Sequence, residues 1–231
     1  MAKFGKKYRA ILKDAPQQEV SVEEAIKFIK AHPAAKFDET LDVAFCLGTN
    51  CVRSDSPVRG TVKLPAGSGK NVKVLVFAGG EHADQAKAAG ADYVGMDDLI
   101  EKITKDGWCD FDVAIATIEA MKNVRKCARV LGPRGLMPNP KTGTVTDDPA
   151  TAVKEAKAGK VDFRMDKTGN CCVIAGKLSF DADKLAQNVK AVVSAVNAAK
   201  PATVKGQFIK TLTLCSTMGP GVPCILSMDV E

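Results

Sequence analysis

The hydrophobic pattern near the two ends of the chain combines helical and strand periods. Residues 21–31, SVEEAIKFIKA, begin with a serine N-cap and two acidic residues and then place apolar side chains on one stripe, which predicts a helix. A second, longer helix is predicted over residues 181–201. Four segments alternate or run apolar with β-branched residues and predict strands: TLDVAFCLG, RGTVKLP, GNCCVIAGKL and QFIKTLTLCST. The ends therefore predict an α+β domain whose strands, from 41–65 and 170–216, share one sheet beneath two helices.

The middle of the chain follows a different pattern. Short apolar strands at 71–80, 91–96 and 110–117 alternate with helical segments at 81–90, 97–107 and 118–132. Such alternation predicts parallel strands joined by right-handed crossovers, a doubly wound, Rossmann-like α/β domain. We therefore expect two domains and a fold class that joins α/β with α+β. The α/β domain spans 67–159 and is inserted into a discontinuous α+β domain formed by 1–66 and 160–231, so that two connections form a hinge.

Charge separates the same two regions. The chain carries a net charge of +6, yet residues 66–159 hold 13 basic and 13 acidic side chains, so the whole surplus lies in the flanks. A polyanionic partner is therefore expected to contact the flanks first. One local exception is a run without any acid, which contains Lys122, Arg125, Lys126, Arg129, Arg134 and Lys141. This basic segment predicts a secondary anionic contact, and a solvated helix face leading into a rigid glycine- and proline-rich loop remains an equal alternative.

Enzyme, metal and membrane classes find no support in the motifs. The stretch GSGKN lacks the first glycine and the final serine or threonine of a phosphate-binding loop and precedes its strand, and FAGGEHAD lacks the dinucleotide spacing. No C-x-x-C pair exists among eight cysteines, and vicinal Cys171 and Cys172 would point to opposite faces of a strand. We expect reduced thiols, no metal and no cofactor. No apolar run approaches the length of about 18 residues that membrane spans need, so we expect a cytoplasmic protein without membrane contact.

Several long motifs together resemble one family. LGPRGLMPNPKTGTV in the basic segment is similar to the signature of ribosomal protein L-one, from the stalk of the large subunit. Further stretches resemble bacterial members of this family, in the same order and over essentially the whole chain. They are AKFDETLDVAFCLG, SDSPVRGTVKLPAGSGK, AGADYVGMDDLIEKI, DFRMDKTG and KPATVKGQFIK with TLTLCSTMGPG. NCCVIAGK departs from the family, since it lacks the histidine and proline common on that strand.

The resemblance implies a non-enzymatic protein that binds large-subunit ribosomal RNA of the 23S type through its outer domain. It also implies that the protein aids release of deacylated exit-site tRNA, represses translation of its own messenger RNA by binding the leader, and is monomeric off the ribosome. The RNA-binding residues carried over from the family motifs are Lys36, Phe37, Thr40, Arg164, Asp166, Lys167, Ser216, Thr217, Met218 and Gly219. Additional phosphate contacts are expected from the N-terminal Lys3, Lys6, Lys7 and Arg9, and from Arg125, Arg129, Arg134 and Lys141.

These residue types suit folded RNA, which is recognised by shape, 2′-hydroxyl groups and exposed bases. Hydroxyl groups come from Thr40, Ser216 and Thr217, while Gly219 would allow a close backbone approach. Phe37 and Met218 could cover ribose or base faces, although a lone aromatic such as Phe37 is more often part of the core. Asp166 would repel phosphate, so we expect it to accept a 2′-hydroxyl hydrogen bond or to orient Arg164. A nucleotide-dependent enzyme and a protein-interaction module are the rival functions.

Overall fold

The computed structural model describes residues 5–48, 58–201, 204 and 206–225, and for Lys141 the backbone alone. Its strands are β1 (Thr40–Leu47), β2 (Arg59–Lys63), β3 (Val74–Phe77), β4 (Tyr93–Gly95), β5 (Val113–Ala116), β6 (Lys160–Arg164), β7 (Asn170–Lys177), β8 (Ile209–Ser216) and β9 (Val222–Cys224). Its α-helices are α1 (Lys6–Asp14), α2 (Val22–Ala31), α3 (Glu81–Ala88), α4 (Asp97–Asp106), α5 (Met121–Val124), α6 (Ala128–Leu131), α7 (Pro149–Lys157) and α8 (Ala182–Ala198). Short 3-10 turns cover Arg125–Cys127 and Pro140–Thr142. The prediction that the chain mixes helices with several β-sheets is confirmed.

The chain divides into two compact units. Unit 1 contains Met1–Gly69 and Val161–Glu231, and unit 2 contains Lys70–Lys160. Lys3 and the 49–57 loop lie outside the described residues. The chain therefore passes from one unit to the other twice.

Unit 1 is built on an antiparallel sheet with the strand order β7-β1-β8-β9. Strand β1 lies between two long partners, so Thr40 faces Lys177 at one end and Cys46 faces Asn170 at the other. Its side chains alternate between buried and partly buried, because one face of the sheet packs against helices and no helix of the described residues covers the other face. We call the second face the open face.

Helices α2 and α8 cover the buried face of this sheet. The stripe on α8 includes Leu185, Val189, Val192 and Val196, whose spacing of three to four residues keeps them on one side of the helix. Helix α2 begins with the predicted serine: Ser21 accepts a hydrogen bond from the Glu24 amide, and the Glu24 carboxylate accepts one from the Ser21 amide. This capping box explains why the helix begins at Val22.

The prediction of a single sheet in the outer domain is wrong. Strand β2 pairs with β6 in a separate two-stranded sheet. Both edges of β1 are already occupied by β7 and β8, so β2 has no free edge there. Gly60 provides room in the small sheet, since a Cβ atom at this position would lie 2.6 Å from the ring of Phe163.

Unit 2 contains a parallel sheet with the order β4-β3-β5. Every residue of β3 is buried, as expected for a parallel strand covered on both faces. Leu75 and Phe77 pack in a cluster with residues of α4, α5 and α6, whereas Val74 and Val76 pack with residues of α3 and α7. Helices therefore cover both faces of this sheet.

The continuous helix predicted over 118–132 is replaced by α5, a 3-10 turn and α6. The Ala128 amide donates to the carbonyl oxygen of Arg125, a 3-10 rather than an α-helical bond. Val124 and Cys127 are three residues apart and both fully buried, a spacing that suits the three-residue period of the 3-10 turn. The sequence analysis also missed α1, α7, β6 and β9.

Candidate nucleic-acid interface

The loop that carries Lys36 and Phe37 is fixed by the buried carboxylate of Glu39. Glu39 is only 1% exposed, its Oε1 accepts from the Ala35 amide at 2.6 Å, and its Oε2 accepts from the Met218 amide at 3.4 Å. This side chain therefore links the loop before β1 to the turn after β8.

Glu39 stays acidic in spite of its burial. Burial is the largest single effect and raises the pKa of the carboxyl. Hydrogen bonds from the Ser216 hydroxyl and from the amides of Ala35, Met218 and Ala34 act in the opposite direction, and together they lower the pKa below the ordinary value of 4.5. A charged Glu39 thus holds both segments at neutral pH.

A second set of hydrogen bonds fixes the same loop from the side of β7. Lys177 Nζ donates to the Asp38 carbonyl oxygen and to Thr40 Oγ1, both at 3.1 Å. The Asp38 carboxylate accepts from the Ser179 amide at 3.1 Å and from the Ser179 hydroxyl at 2.9 Å. The loop is therefore anchored to both neighbours of β1.

The turn after β8 uses its hydroxyl groups internally. Thr217 Oγ1 accepts from the Thr40 amide at 3.0 Å, and the Thr217 amide donates to the Thr40 carbonyl oxygen at 3.1 Å. Ser216 is only 5% exposed, and its hydroxyl bonds to Glu39. A Cβ atom on Gly219 would overlap Ser216 Oγ, so the turn itself demands a glycine here. These contacts shape the turn.

Two apolar side chains remain exposed on the segments that Glu39 links. Phe37 is 56% exposed and Met218 is 57% exposed, while Lys36 and Thr217 beside them are exposed as well. The alternative that Phe37 belongs to the core is wrong, because the loop before β1 projects it outward. Lys36, Phe37, Thr40 and residues 216–219 thus meet at one end of the sheet.

Arg164, Asp166 and Lys167 lie at the opposite end of the sheet. They belong to the end of β6 and the turn that leads into β7, where the Asp166 amide donates to the Asn170 carbonyl oxygen at 2.8 Å. Asn170 pairs with Cys46, which lies six positions along β1 from Thr40, a rise of about 20 Å. All three side chains are exposed, and among the described residues Arg164 and Asp166 form no ion pair with each other. The predicted site therefore consists of two separate groups.

The open face of the sheet connects these two groups. Its exposed or partly buried residues are Asp42, Ala44 and Cys46 of β1, Cys172 and Ile174 of β7, and Thr211, Thr213 and Cys215 of β8. Cys171 is buried and Cys172 exposed, as the strand period predicts. The sequence analysis missed this face because its residues are small or apolar as often as polar. It also missed Lys177 and Glu39, whose charges beside strand termini were the available signal.

The two sets of secondary residues lie elsewhere. Lys6, Lys7 and Arg9 are exposed on α1, a helix without any buried residue. In unit 2, Lys122, Arg125, Lys126 and Arg129 recur at the helical spacing of three and four residues and are exposed, as is Arg134. Several other cations of unit 2 pair with acids, for example Lys73 with Asp110 at 2.9 Å and Lys105 with Glu101 at 2.7 Å. None of these five cations, whose side chains the structure describes, forms an ion pair with a described acid.

The described residues contain neither a candidate metal site nor a candidate membrane span. No group of three or more His, Cys, Asp or Glu side chains there is arranged to hold a metal ion. The seven cysteines that the structure describes are free thiols. In the same part of the chain, no helix combines the length and apolarity that crossing a bilayer requires.

Comparison with known proteins identifies the family. Residues 29–220 match the model of the Ribosomal protein L1p/L10e family, and this range includes both groups of predicted contact residues. The chain belongs to this ribosomal protein L1 family. It is also 52% identical, over 220 residues, to the large ribosomal subunit protein uL1 of Solibacter usitatus (strain Ellin6076). That similarity covers 95% of this chain and 93% of the relative.

Family membership confirms the resemblance seen in the sequence motifs. The L1 chain is a structural ribosomal protein of the translation machinery, and the prediction that it is not an enzyme is confirmed. The nucleotide-dependent enzyme considered above is thereby excluded.

Proposed function

We propose that unit 1 of this L1 protein binds large-subunit ribosomal RNA of the 23S type at the base of the stalk. Family membership supports RNA as the partner. The observation that carries the proposal is the anchored end of the sheet, where Phe37 and Met218 are both more than half exposed on segments joined through Glu39. Exposed apolar side chains on a rigid support can stack against bases or riboses, which single-stranded and looped RNA presents.

The polar residues around this platform have complementary roles in the proposal. Lys36, Arg164 and Lys167 contact phosphates at the two ends of the sheet. Thr40 Oγ1 accepts a hydrogen bond from Lys177, so its own proton is available to an RNA oxygen. Asp166 accepts a 2′-hydroxyl bond. Ser216, Thr217 and Gly219 act mainly by shaping the turn that presents Met218.

The test compares three exposed apolar side chains. Phe37→Ala should weaken binding to a stalk-base fragment of large-subunit ribosomal RNA by about 1 to 3 kcal/mol, the range for a lost aromatic stacking contact. Met218→Ala should weaken it as well, through the loss of apolar contact. Ile118→Ala is the matched control, because Ile118 is 58% exposed but belongs to unit 2. Equal affinity of all three variants and the wild type, measured by filter binding, would refute the proposed platform.

We propose that the basic segment of unit 2 is a second, weaker RNA contact. The proposal is supported by four exposed cations at spacings of three and four residues, none of which pairs with a described acid. Arg134 and Lys141 extend this basic segment in sequence. The triple variant Arg125→Gln, Arg129→Gln, Arg134→Gln should reduce RNA affinity and tRNA occupancy of the ribosomal exit site. Unchanged values for both quantities would exclude this contact.

Helix α1 is proposed to add phosphate contacts through Lys6, Lys7 and Arg9. Its support is that the helix exposes all three cations and buries no side chain. Replacing the three by glutamine should lower the affinity for the RNA fragment at low salt and have little effect at high salt, because exposed charges are screened.

Two finer functions follow from the proposed RNA platform. As part of the stalk, the protein would help deacylated tRNA leave the exit site, so ribosomes lacking it should release that tRNA more slowly. The same surface would bind the leader of its own messenger RNA and repress translation. The repressor function is tested by competition between the leader and the ribosomal fragment. The leader should displace the fragment from the wild-type chain, and Met218→Ala should bind both RNAs more weakly. We further propose that the free protein is monomeric and acts in the cytoplasm, which light scattering and cell fractionation can test.

A further inference from the structure

Asp42 lies on the open face, two residues along β1 from Thr40 and four from Cys46, between the two groups of predicted contact residues. Its cross-strand neighbours are Ile174 on β7 and Cys215 on β8. Ile174 is 43% exposed, and Cys215 is partly buried. The carboxylate is therefore surrounded by apolar and weakly polar side chains.

Within the described part of the chain, the Asp42 carboxylate accepts no hydrogen bond and forms no ion pair. Cys215 Sγ donates to the Asp42 backbone carbonyl oxygen instead, at 3.8 Å. Lys177 Nζ, whose positive charge acts on Asp42, already donates to Thr40 and Asp38. Burial raises the pKa of Asp42, and the charge of Lys177 opposes this rise only in part.

An RNA that covers the open face would remove water from this carboxylate. A charged group that loses its water needs a hydrogen-bond donor, and without one the binding free energy is reduced. Phosphate offers no donor and repels the carboxylate. The partner at this position must therefore present N–H or O–H groups.

We propose that Asp42 reads the Watson–Crick edge of an unpaired guanine in the bound RNA. The two carboxylate oxygens can accept from the guanine N1–H and 2-amino groups side by side, in the bidentate geometry that carboxylates favour. In cytosine and adenine, a ring nitrogen that is a hydrogen-bond acceptor lies next to the amino group. This acceptor would face one carboxylate oxygen, so the two would repel each other. Ile174 and Cys215 supply apolar surface on either side, where the base can lie. This inference rests on the proposed RNA-binding function and adds base specificity to it.

The test is a double-mutant cycle between protein and RNA. Stalk-base fragments are synthesised in which each unpaired guanosine in turn is replaced by inosine, which lacks only the 2-amino group. With the wild-type chain, inosine at one position should weaken binding at least about fivefold, at the lower end of the range for a base-specific contact. With Asp42→Ala, inosine at that position should cost less than about twofold. Glu23→Gln, an exposed acid of α2, should keep the full penalty.

The outcomes separate the two proposals. If the wild-type chain does not bind the unmodified fragment, the RNA-binding proposal itself fails. If the chain binds but no inosine position distinguishes the wild type from Asp42→Ala, RNA binding stands and guanine recognition by Asp42 is overturned. Thermal unfolding of Asp42→Ala shows whether the variant is folded, and Asp42→Asn, which replaces one acceptor by a donor, should lose the inosine penalty as well.

Discussion

At the residue scale, Glu39 shows how a charge can organise a site without being exposed. Its carboxylate accepts from amides on two different segments, and this joins the loop of Phe37 to the turn of Met218. Removing one partner from such a buried contact leaves the others unsatisfied. We therefore assign the shape of the platform to Glu39 and its contacts with RNA to the exposed neighbours.

The depressed pKa of Glu39 predicts how stability depends on pH. Because the folded-state pKa lies below the ordinary value of 4.5, the charged form stabilises the fold above pH 4.5, and this contribution is lost as the pH falls through the folded-state pKa. Glu39→Gln cannot titrate. The difference in unfolding free energy between wild type and Glu39→Gln, from urea unfolding, should therefore be largest near neutrality and shrink in acid. A difference that grows in acid would contradict the assignment.

Asn188 gives a second prediction for a single residue. It is fully buried on α8, its Oδ1 accepts from the Ala66 amide at 3.0 Å, and its Nδ2 donates to the carbonyl oxygens of Gly67 and Ala175 at 3.1 and 2.7 Å. Asn188→Ala should lower the unfolding free energy by about 2 to 4 kcal/mol, because buried backbone groups lose their partners. The exposed Asn197→Ala on the same helix should change it by less than about 0.5 kcal/mol. Equal effects in urea unfolding would argue against this role of Asn188.

The sequence could indicate which motifs matter but not which atoms of them face outward. Phe37 and Met218 occur in the family motifs, but their exposure depends on the loop and the turn that Glu39 joins. Ser216 was expected to offer its hydroxyl to RNA, yet that hydroxyl bonds to Glu39. Asp42 gave no signal, because the alternating pattern of β1 places it on the open face but does not show that its carboxylate lacks a hydrogen-bond donor.

At the element scale, local signals sufficed where a segment carries its own boundary. Helix α2 begins where the capping box of Ser21 and Glu24 predicts, and the strands β1, β7 and β8 follow their alternating patterns. The pairing of β2 with β6 was not predictable in this way, since strand pairing depends on which edges of β1 remain free. The break in the predicted helix at 125–127 depends on packing of Val124 and Cys127 in a core that the sequence does not display.

The capping box gives a prediction for α2. Ser21→Ala removes the acceptor for the Glu24 amide and should lower the unfolding free energy by about 1 kcal/mol. Ser194→Ala on the exposed side of α8 is the control and should change it by less than about 0.5 kcal/mol. If thermal unfolding shows the same change for both variants, the cap does not stabilise α2 measurably.

At the scale of the whole molecule, charge and apolar surface are divided between the two units. Unit 1 presents exposed Phe37 and Met218 together with cations at both ends of the sheet, whereas unit 2 carries four exposed cations, none paired with a described acid, close together over residues 122–129. The sequence indicated this division through the surplus of basic residues in the flanks. It could not place Lys36 and Lys167 at opposite ends of the sheet, because that placement follows from the register of β1 with β7.

The central claim is that unit 1 provides the main phosphate contacts. The most direct test measures the affinity of the full chain for the stalk-base fragment across a salt series. Each lost phosphate contact lowers the slope of log affinity against log salt by about 0.7 to 0.9. The slope should fall by about 2 in the triple variant Lys36→Gln, Arg164→Gln, Lys167→Gln. It should fall less in the triple variant at Arg125, Arg129 and Arg134. A wild-type slope in the first variant, with binding abolished in the second, would contradict the account.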